Sequence, residues 1–84
     1  MKPIRLSGHA CENIAYRGAS EQEVAETITS CDWEEARQRR QECRRDFVFD
    51  STWNGRFYHT KQVRPIFVDE PDEIMVITVY VYYF

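Results

Sequence analysis

An α+β fold, with a helical N-terminal half packed on an antiparallel sheet, follows from three features of the sequence. Two short segments on either side of Arg17-Gly18 carry helix start and stop signals. From Glu42 the hydrophobic period changes to two. The chain then ends on Ile74 to Phe84, a run rich in β-branched and aromatic residues.

Taken in order, Lys2 to Leu6 reads as a short edge strand, where the missing N–H of Pro3 costs nothing. Ser7 is placed as the N-cap of a helix from about Gly8 to Tyr16, with Ala10, Ile14 and Ala15 facing inward. Arg17-Gly18 stops it with a basic last turn and a glycine cap. Ser20-Glu21-Gln22-Glu23 matches a capping box and opens a second helix to about Thr29, with Val24, Ala25 and Ile28 on one face. Cys31 to Gln41 admits two readings. Glu35 and Arg39 are spaced for a helical ion pair, and a charged loop around Trp33 fits equally.

Beyond Glu42, Cys43, Arg45, Phe47 and Phe49 alternate with Arg44, Asp46, Val48 and Asp50, as in a strand with one buried face. Trp53-Asn54-Gly55 carries a hairpin turn signal. A long strand follows from Arg56 to about Val68, in which Pro65 predicts a bulge or an exposed edge. A turn at Glu70-Pro71-Asp72-Glu73 leads into the last strand. With Pro71-Asp72 at the hairpin tip, Glu70 faces Glu73, Val68 meets Met75, and Ile66 meets Ile77 on an apolar face with Val79 and Val81. The opposite face then pairs Lys61 with Tyr82, Val63 with Tyr80 and Pro65 with Thr78, with His59 near Phe84. On that register Lys61, His59, Thr78, Tyr80 and Tyr82 line one side of the sheet.

Eighty-four residues hold one core, so residues 1–84 form a single domain. A composition 43% hydrophobic, 14% aromatic and 30% charged excludes a disordered chain. No apolar run at the N-terminus is long enough for a signal peptide, and Ile74 to Phe84 is too short to span a bilayer. Cys11, Cys31 and Cys43 are odd in number and match no zinc spacing, which fits reduced thiols in a cytoplasmic protein with no metal or cofactor. The net charge of −3 does not mark a nucleic-acid binder. Its distribution is uneven, however. Arg37, Arg39, Arg40, Arg44 and Arg45 crowd one stretch and Arg56, Lys61 and Arg64 follow, which suits local binding of a polyanion and suits an ordinary solvated surface as well.

Two constellations carry potential chemistry. His9 lies in the first turn of the first helix, and Arg17 is close to the same helical face, a pattern suited to binding a phosphate or moving a proton at a helix N-terminus. It equally suits a surface histidine and an arginine complementing the helix dipole. His59, Lys61, Arg64 and Tyr80 form the second set. Metal-independent RNA cleavage by a 2′-OH needs a proton acceptor, a proton donor and cations around the phosphorane, and these side chains are of the right types. A polar outer sheet face covered by tyrosines accounts for them as well.

The order strand, helix, helix, then three antiparallel strands resembles the RelE/ParE-like toxins of bacterial toxin–antitoxin pairs. More closely, the sequence looks like a family of small bacterial proteins near that fold. The matching residues are Ser7-Gly8-His9-Ala10, Arg17-Gly18-Ala19-Ser20, Glu23-Val24, Trp53-Asn54-Gly55-Arg56-Phe57-Tyr58, Lys61-Gln62-Val63 and Val76-Ile77-Thr78-Val79-Tyr80. The resemblance implies a RelE-like fold, metal-independent RNA cleavage, often on the ribosome, and a small antitoxin that covers the active face. Carried onto this chain, it points to His9, Lys61 and Tyr80 as catalytic and to Arg17 as phosphate-binding. Arg64 and His59 join the RNA-binding set from the reading of the residues themselves. A non-catalytic protein-binding module, either a ParE-like poison or an accessory protein, is the alternative, and a homodimer through an exposed strand edge is a third.

Overall fold

The computed structural model describes residues 2–84 and confirms an α+β fold in which two helices cover one face of a mixed sheet. The elements are β1 (Ile4–Leu6), α1 (Gly8–Arg17), α2 (Glu21–Ser30), β2 (Glu34–Glu35), β3 (Gln41–Glu42), β4 (Arg45–Trp53), β5 (Arg56–Asp69) and β6 (Ile74–Tyr83). The strands lie in the order β1-β6-β5-β3-β2, with β4 also on β5. Among the described residues only the β1–β6 pair is parallel.

Both helices start as their sequences dictate. Ser7 Oγ accepts from the Ala10 N–H at 3.1 Å. Ser20 and Glu23 complete a reciprocal capping box. Gly18 ends α1 at φ +81°, and a Cβ there would lie 2.6 Å from Tyr83 Oη and 2.7 Å from the Trp53 ring. The sheet's aromatic end, where Trp53 stacks on Tyr83 beside Phe49 and Tyr58, therefore closes directly onto the helix–helix turn. Ala15, expected inward, is exposed. Asn13 is buried instead, because α1 runs along the free edge of β6 and turns a polar stripe toward it.

That edge carries an irregularity. Asp69, Val68 and Phe67 oppose Ile74, Met75 and Val76, but Ile66 opposes Thr78, so Ile77 is an extra residue in β6. The anticipated pairs Ile66–Ile77, Pro65–Thr78, Val63–Tyr80 and Lys61–Tyr82 are each displaced by one. Pro65 opposes Val79, Val63 opposes Val81, Lys61 opposes Tyr83, and Arg64 opposes Tyr80. Helix α1 satisfies the backbone groups that the bulge and the edge leave open. Ser7 Oγ donates to the Ile77 carbonyl, and Asn13 Oδ1 accepts from the Val79 N–H and the Thr78 hydroxyl. Arg17 Nη1 donates to the Val79 carbonyl at 2.7 Å, and Tyr83 Oη donates to the Arg17 carbonyl at 2.6 Å.

Pro65 is not at an edge. It is buried in the central strand, where its missing N–H interrupts a ladder. Gln41 opposes Phe67, Glu42 opposes Ile66 and Arg45 opposes Val63, one continuous register that would set Cys43 against Pro65. Strands β3 and β4 are thus a single strand opened for two residues. Thr60 and Phe84 exchange both backbone hydrogen bonds, so by antiparallel alternation the nitrogen of Pro65 faces this gap and not β6.

Residues 31–41 form neither the helix nor the plain loop. Strands β2 and β3 make a small hairpin whose tip, Gln38 and Arg39, has φ of 59° and 62°. The expected Glu35–Arg39 ion pair is therefore not formed. Trp33 donates its indole N–H to the Ile28 carbonyl and sets its ring edge-on to Phe67.

The core under the helices joins Ala10, Ile14, Val24 and Ile28 to Val63, Phe67, Ile74, Val76 and Val79, with Cys43 closing one side. Burial, with smaller contributions from Cys31 and Glu42, pushes the Cys43 thiol up to about 12. The protonated thiol is thus the form that fits the fold.

Asn13→Ala removes the acceptor for two groups at the bulge and is expected to cost about 1–3 kcal/mol in urea denaturation. Cys43 generates an alkaline signature. Because its folded-state pKa lies above its ordinary value, unfolding releases a proton at high pH. Stability is unaffected by this group below about pH 9, the ordinary thiol value, and falls as pH rises toward 12. Cys43→Ala should flatten that limb of a stability–pH profile.

Candidate nucleic-acid interface

The helices cover one face of the sheet and leave the other open. Alternation along each strand fixes what the open face presents. Continuous register sets Arg44 of the β3–β4 strand opposite Arg64, and Arg64 opposes Tyr80. Arg17 reaches the far side of Tyr80 from α1. The result is a row across the strands: Arg44, Arg64, Tyr80, Arg17. The guanidinium carbons of Arg17 and Arg64 lie 5.5 and 5.6 Å from the Tyr80 ring centroid, within cation–π range. Tyr82 stands beside Tyr80 with ring planes 16° apart and centroids at 6.5 Å. Both tyrosines are about two-fifths exposed, at 39% and 43%.

Arg64 is held from two sides. Its Nε and Nη2 donate to Glu42 Oε2 at 3.2 and 2.7 Å, and its Nη1 donates to Tyr82 Oη at 3.4 Å. The Glu42 hydrogen bond raises the guanidinium pKa further against a smaller opposing effect of burial, so Arg64 is a permanent cation. Next to this row the face sinks into an open depression of about 830 Å³. Ile66 and Thr78 form its floor, and Arg37 and Arg40 of the β2–β3 hairpin form one wall.

The expected site residues divide. Arg17, Arg64 and Tyr80 come together. His9 lies exposed in the first turn of α1, two turns before Arg17 on the stripe that carries Asn13, and it makes no side-chain hydrogen bond among the described residues. Lys61 is on the other face. The Ile77 bulge sets it opposite Tyr83, under the helices, with 8% of its surface exposed. Its ammonium donates to Glu23 Oε1 at 2.9 Å and to the Gly18 carbonyl at 3.0 Å, and it lies 5.5 Å from the Phe49 ring centroid. Its visible role is to tie the helix–helix turn to the sheet. His59 is also away from Tyr80. It sits on the far half of β5, with Nδ1 2.9 Å from Asp50 Oδ1 and its ring edge against Phe57.

Arg44, Glu42 and Tyr82 complete the open face; the sequence places Tyr82 on the side of Tyr80 and Arg44 in the basic stretch, but none of the three in the site set. The alternation of Arg44 with the inward Cys43 and Arg45 was the signal for the first of them. Charge pairing separates the two faces further. Of the eleven Lys and Arg residues, Lys2, Arg5, Arg45, Lys61 and Arg64 have a carboxylate within 4.0 Å. Arg17, Arg37, Arg39, Arg40, Arg44 and Arg56 have none among the described residues, and all but Arg56 belong to the Tyr80 row or the adjoining hairpin. A chain of net charge −3 thus keeps five of these six arginines around one surface.

Among the described residues no group of three or more His, Cys, Asp or Glu is arranged to hold a metal, and no helix is long and apolar enough to cross a membrane. Compared with protein-family models, curated proteins and solved structures, the chain matches none.

Lys61 yields a sharp prediction. Lys61→Met leaves Glu23 without its cation and should destabilise the fold by roughly 2–3 kcal/mol, less than a fully buried pair because Glu23 retains 23% exposure. Urea denaturation reads this loss. A part of Lys61 in the open-face chemistry would instead leave stability intact and abolish only ligand binding or turnover.

Proposed function

We propose that this protein is an RNA-binding protein of the RelE/ParE-like toxin kind, and that its open sheet face holds a single RNA strand and cleaves it without a metal. The observation that carries the reading is the Arg44–Arg64–Tyr80–Arg17 row, an exposed aromatic ring between two guanidiniums on the surface that gathers the unpaired arginines. Single-stranded nucleic acids are held by this combination, bases stacking on aromatic rings and phosphates tracking cations. Tyr80 and Tyr82 supply the stacking surface. Arg44 and Arg64 supply charge from neighbouring strands, about 4.8 Å apart, and Arg17 supplies it from α1 beside Tyr80.

For cleavage, Arg17 and Arg64 flank the position at which a phosphorane would gain charge, and Tyr80 is the proton-transferring group between them. His9 shares the helical stripe of Arg17 but lies two turns, about 12 Å, along α1 from it, so it leaves the catalytic set. Lys61 also leaves the catalytic set on this reading and is assigned to the fold. A cytoplasmic setting, the translating ribosome as the place of action and a small antitoxin that covers the open face accompany the resemblance.

A non-catalytic, protein-binding role is favoured by a different observation. Among the described residues strand β4 has no partner on its outer edge, and Val48 and Phe57 stand 87% and 53% exposed near it. That edge suits strand addition by a protein or by a second copy of the chain.

Induced expression in a bacterial host, wild type beside Tyr80→Phe and Arg44→Gln, separates the two. The ribonuclease reading expects growth arrest with RNA cleavage. Tyr80→Phe should slow cleavage by about 10²–10⁴-fold with an unchanged circular dichroism spectrum. Arrest with intact RNA, or arrest unaffected by either substitution, would move the function to the β4 edge.

A further inference from the structure

The hairpin of β2 and β3 is poorly stabilised by its own residues. Each strand is two residues long, and Glu34 stands directly opposite Glu42, a like-charge pair. Its tip places Gln38 and Arg39 at φ 59° and 62°, a two-residue turn with both central residues left-handed, closed by the Arg40 N–H on the Arg37 carbonyl. The same chain solves the same geometry at the β4–β5 turn with Asn54 and Gly55, at φ 51° and 80°, residues that adopt it readily. In the β2–β3 turn the residue types that suit the backbone are replaced by a glutamine and an arginine. Arg37, Arg39 and Arg40 around it have no carboxylate within ion-pair distance among the described residues. Residues held in strained conformations collect where a ligand uses them.

The placement of the hairpin says which ligand. The lining of the depression joins Arg37 and Arg40, as a basic wall with Glu35 beside them, to Ile66, Thr78, Tyr80 and Arg64, whose partner Glu42 also lines it. A polyanion lying along the Tyr80 row passes this wall.

The geometry points to the β2–β3 hairpin as a second phosphate-binding element, which clamps a single-stranded nucleic acid into the depression between Arg37 and Arg40 on one side and Arg64 and Tyr80 on the other. The inference rests on the reading of the open face as an RNA surface, and it adds where the strand continues beyond the row. Phosphates there compensate Arg37 and Arg40, which have no carboxylate within ion-pair distance among the described residues, and binding stiffens the tip of a hairpin tied to the sheet through β3 and the Glu42–Arg64 pair.

The test uses the whole chain and a short fluorescein-labelled single-stranded RNA, with affinity followed by anisotropy across a salt titration. Arg37→Gln with Arg40→Gln alters an exposed and a half-buried side chain and leaves the turn backbone in place. The double variant should bind at least 10-fold more weakly, and the slope of log affinity against log salt should fall by about 1.4, since each phosphate contact on a single strand contributes about 0.7. Amide exchange in residues 36–42 should slow when RNA binds the wild type. If Arg44→Gln weakens binding while the double variant binds with wild-type affinity and slope, the hairpin is outside the interface and the inference fails, with the open-face reading intact. If the wild type binds no RNA, both fall, and the arginines mark a protein-docking surface.

Discussion

The structure depends on how α1 completes the edge of β6. A sheet edge exposes unpaired N–H and C=O groups, and a bulge adds more. Here Ser7, Asn13 and Arg17, spaced along one helix and its cap, supply a donor to Ile77, an acceptor for Thr78 and Val79, and a donor to the Val79 carbonyl. Remove that helix face and the extra residue at Ile77 has no means of support. With it, the second half of β6 moves by one position relative to β5, and Arg64 rather than Lys61 shares a face with Tyr80.

Two cationic side chains three residues apart on β5, and so on opposite faces, thereby acquire opposite roles. Lys61 enters a low-exposure site where Glu23 and the Gly18 carbonyl satisfy it, and Glu23 is already tied to the N-cap of α2. The helix hairpin, its glycine turn and the central strand are coupled through one ammonium group. Arg64 stays on the open face, oriented by Glu42 and Tyr82, with its guanidinium presented to Tyr80. A carboxylate on each face holds a cation in place, in one case for the fold and in the other beside the ligand surface.

Stability and binding chemistry also divide along the chain. The aromatic cluster of Trp53, Tyr83, Phe49 and Tyr58 closes the end of the sheet against Gly18. The opposite end carries the short arginine hairpin, with a like-charge Glu34–Glu42 pair and an unfavourable turn. Low local stability is common where a surface orders around a ligand.

By itself the sequence determined what local chemistry controls. Ser7 and Ser20 mark the helix starts, Gly18 and Asn54-Gly55 mark the turns, and period-two alternation places Cys43, Arg45, Phe47 and Phe49 on one face. Each of these needs only neighbours a few residues away. The hairpin tip at Pro71-Asp72 and the pairing of Val68 with Met75 belong to the same group, because a turn fixes register nearby. Past Ile77 that control ends. A single extra residue changes every pair that follows, and what makes it tolerable is a set of hydrogen bonds from a helix more than sixty residues away in sequence. The residues of the candidate site divided for this reason. Tyr80, Arg17 and Arg64 were legible as chemical types, whereas their meeting on one face, and the loss of Lys61 and His59 from it, was decided by tertiary contacts that satisfy the backbone of β6.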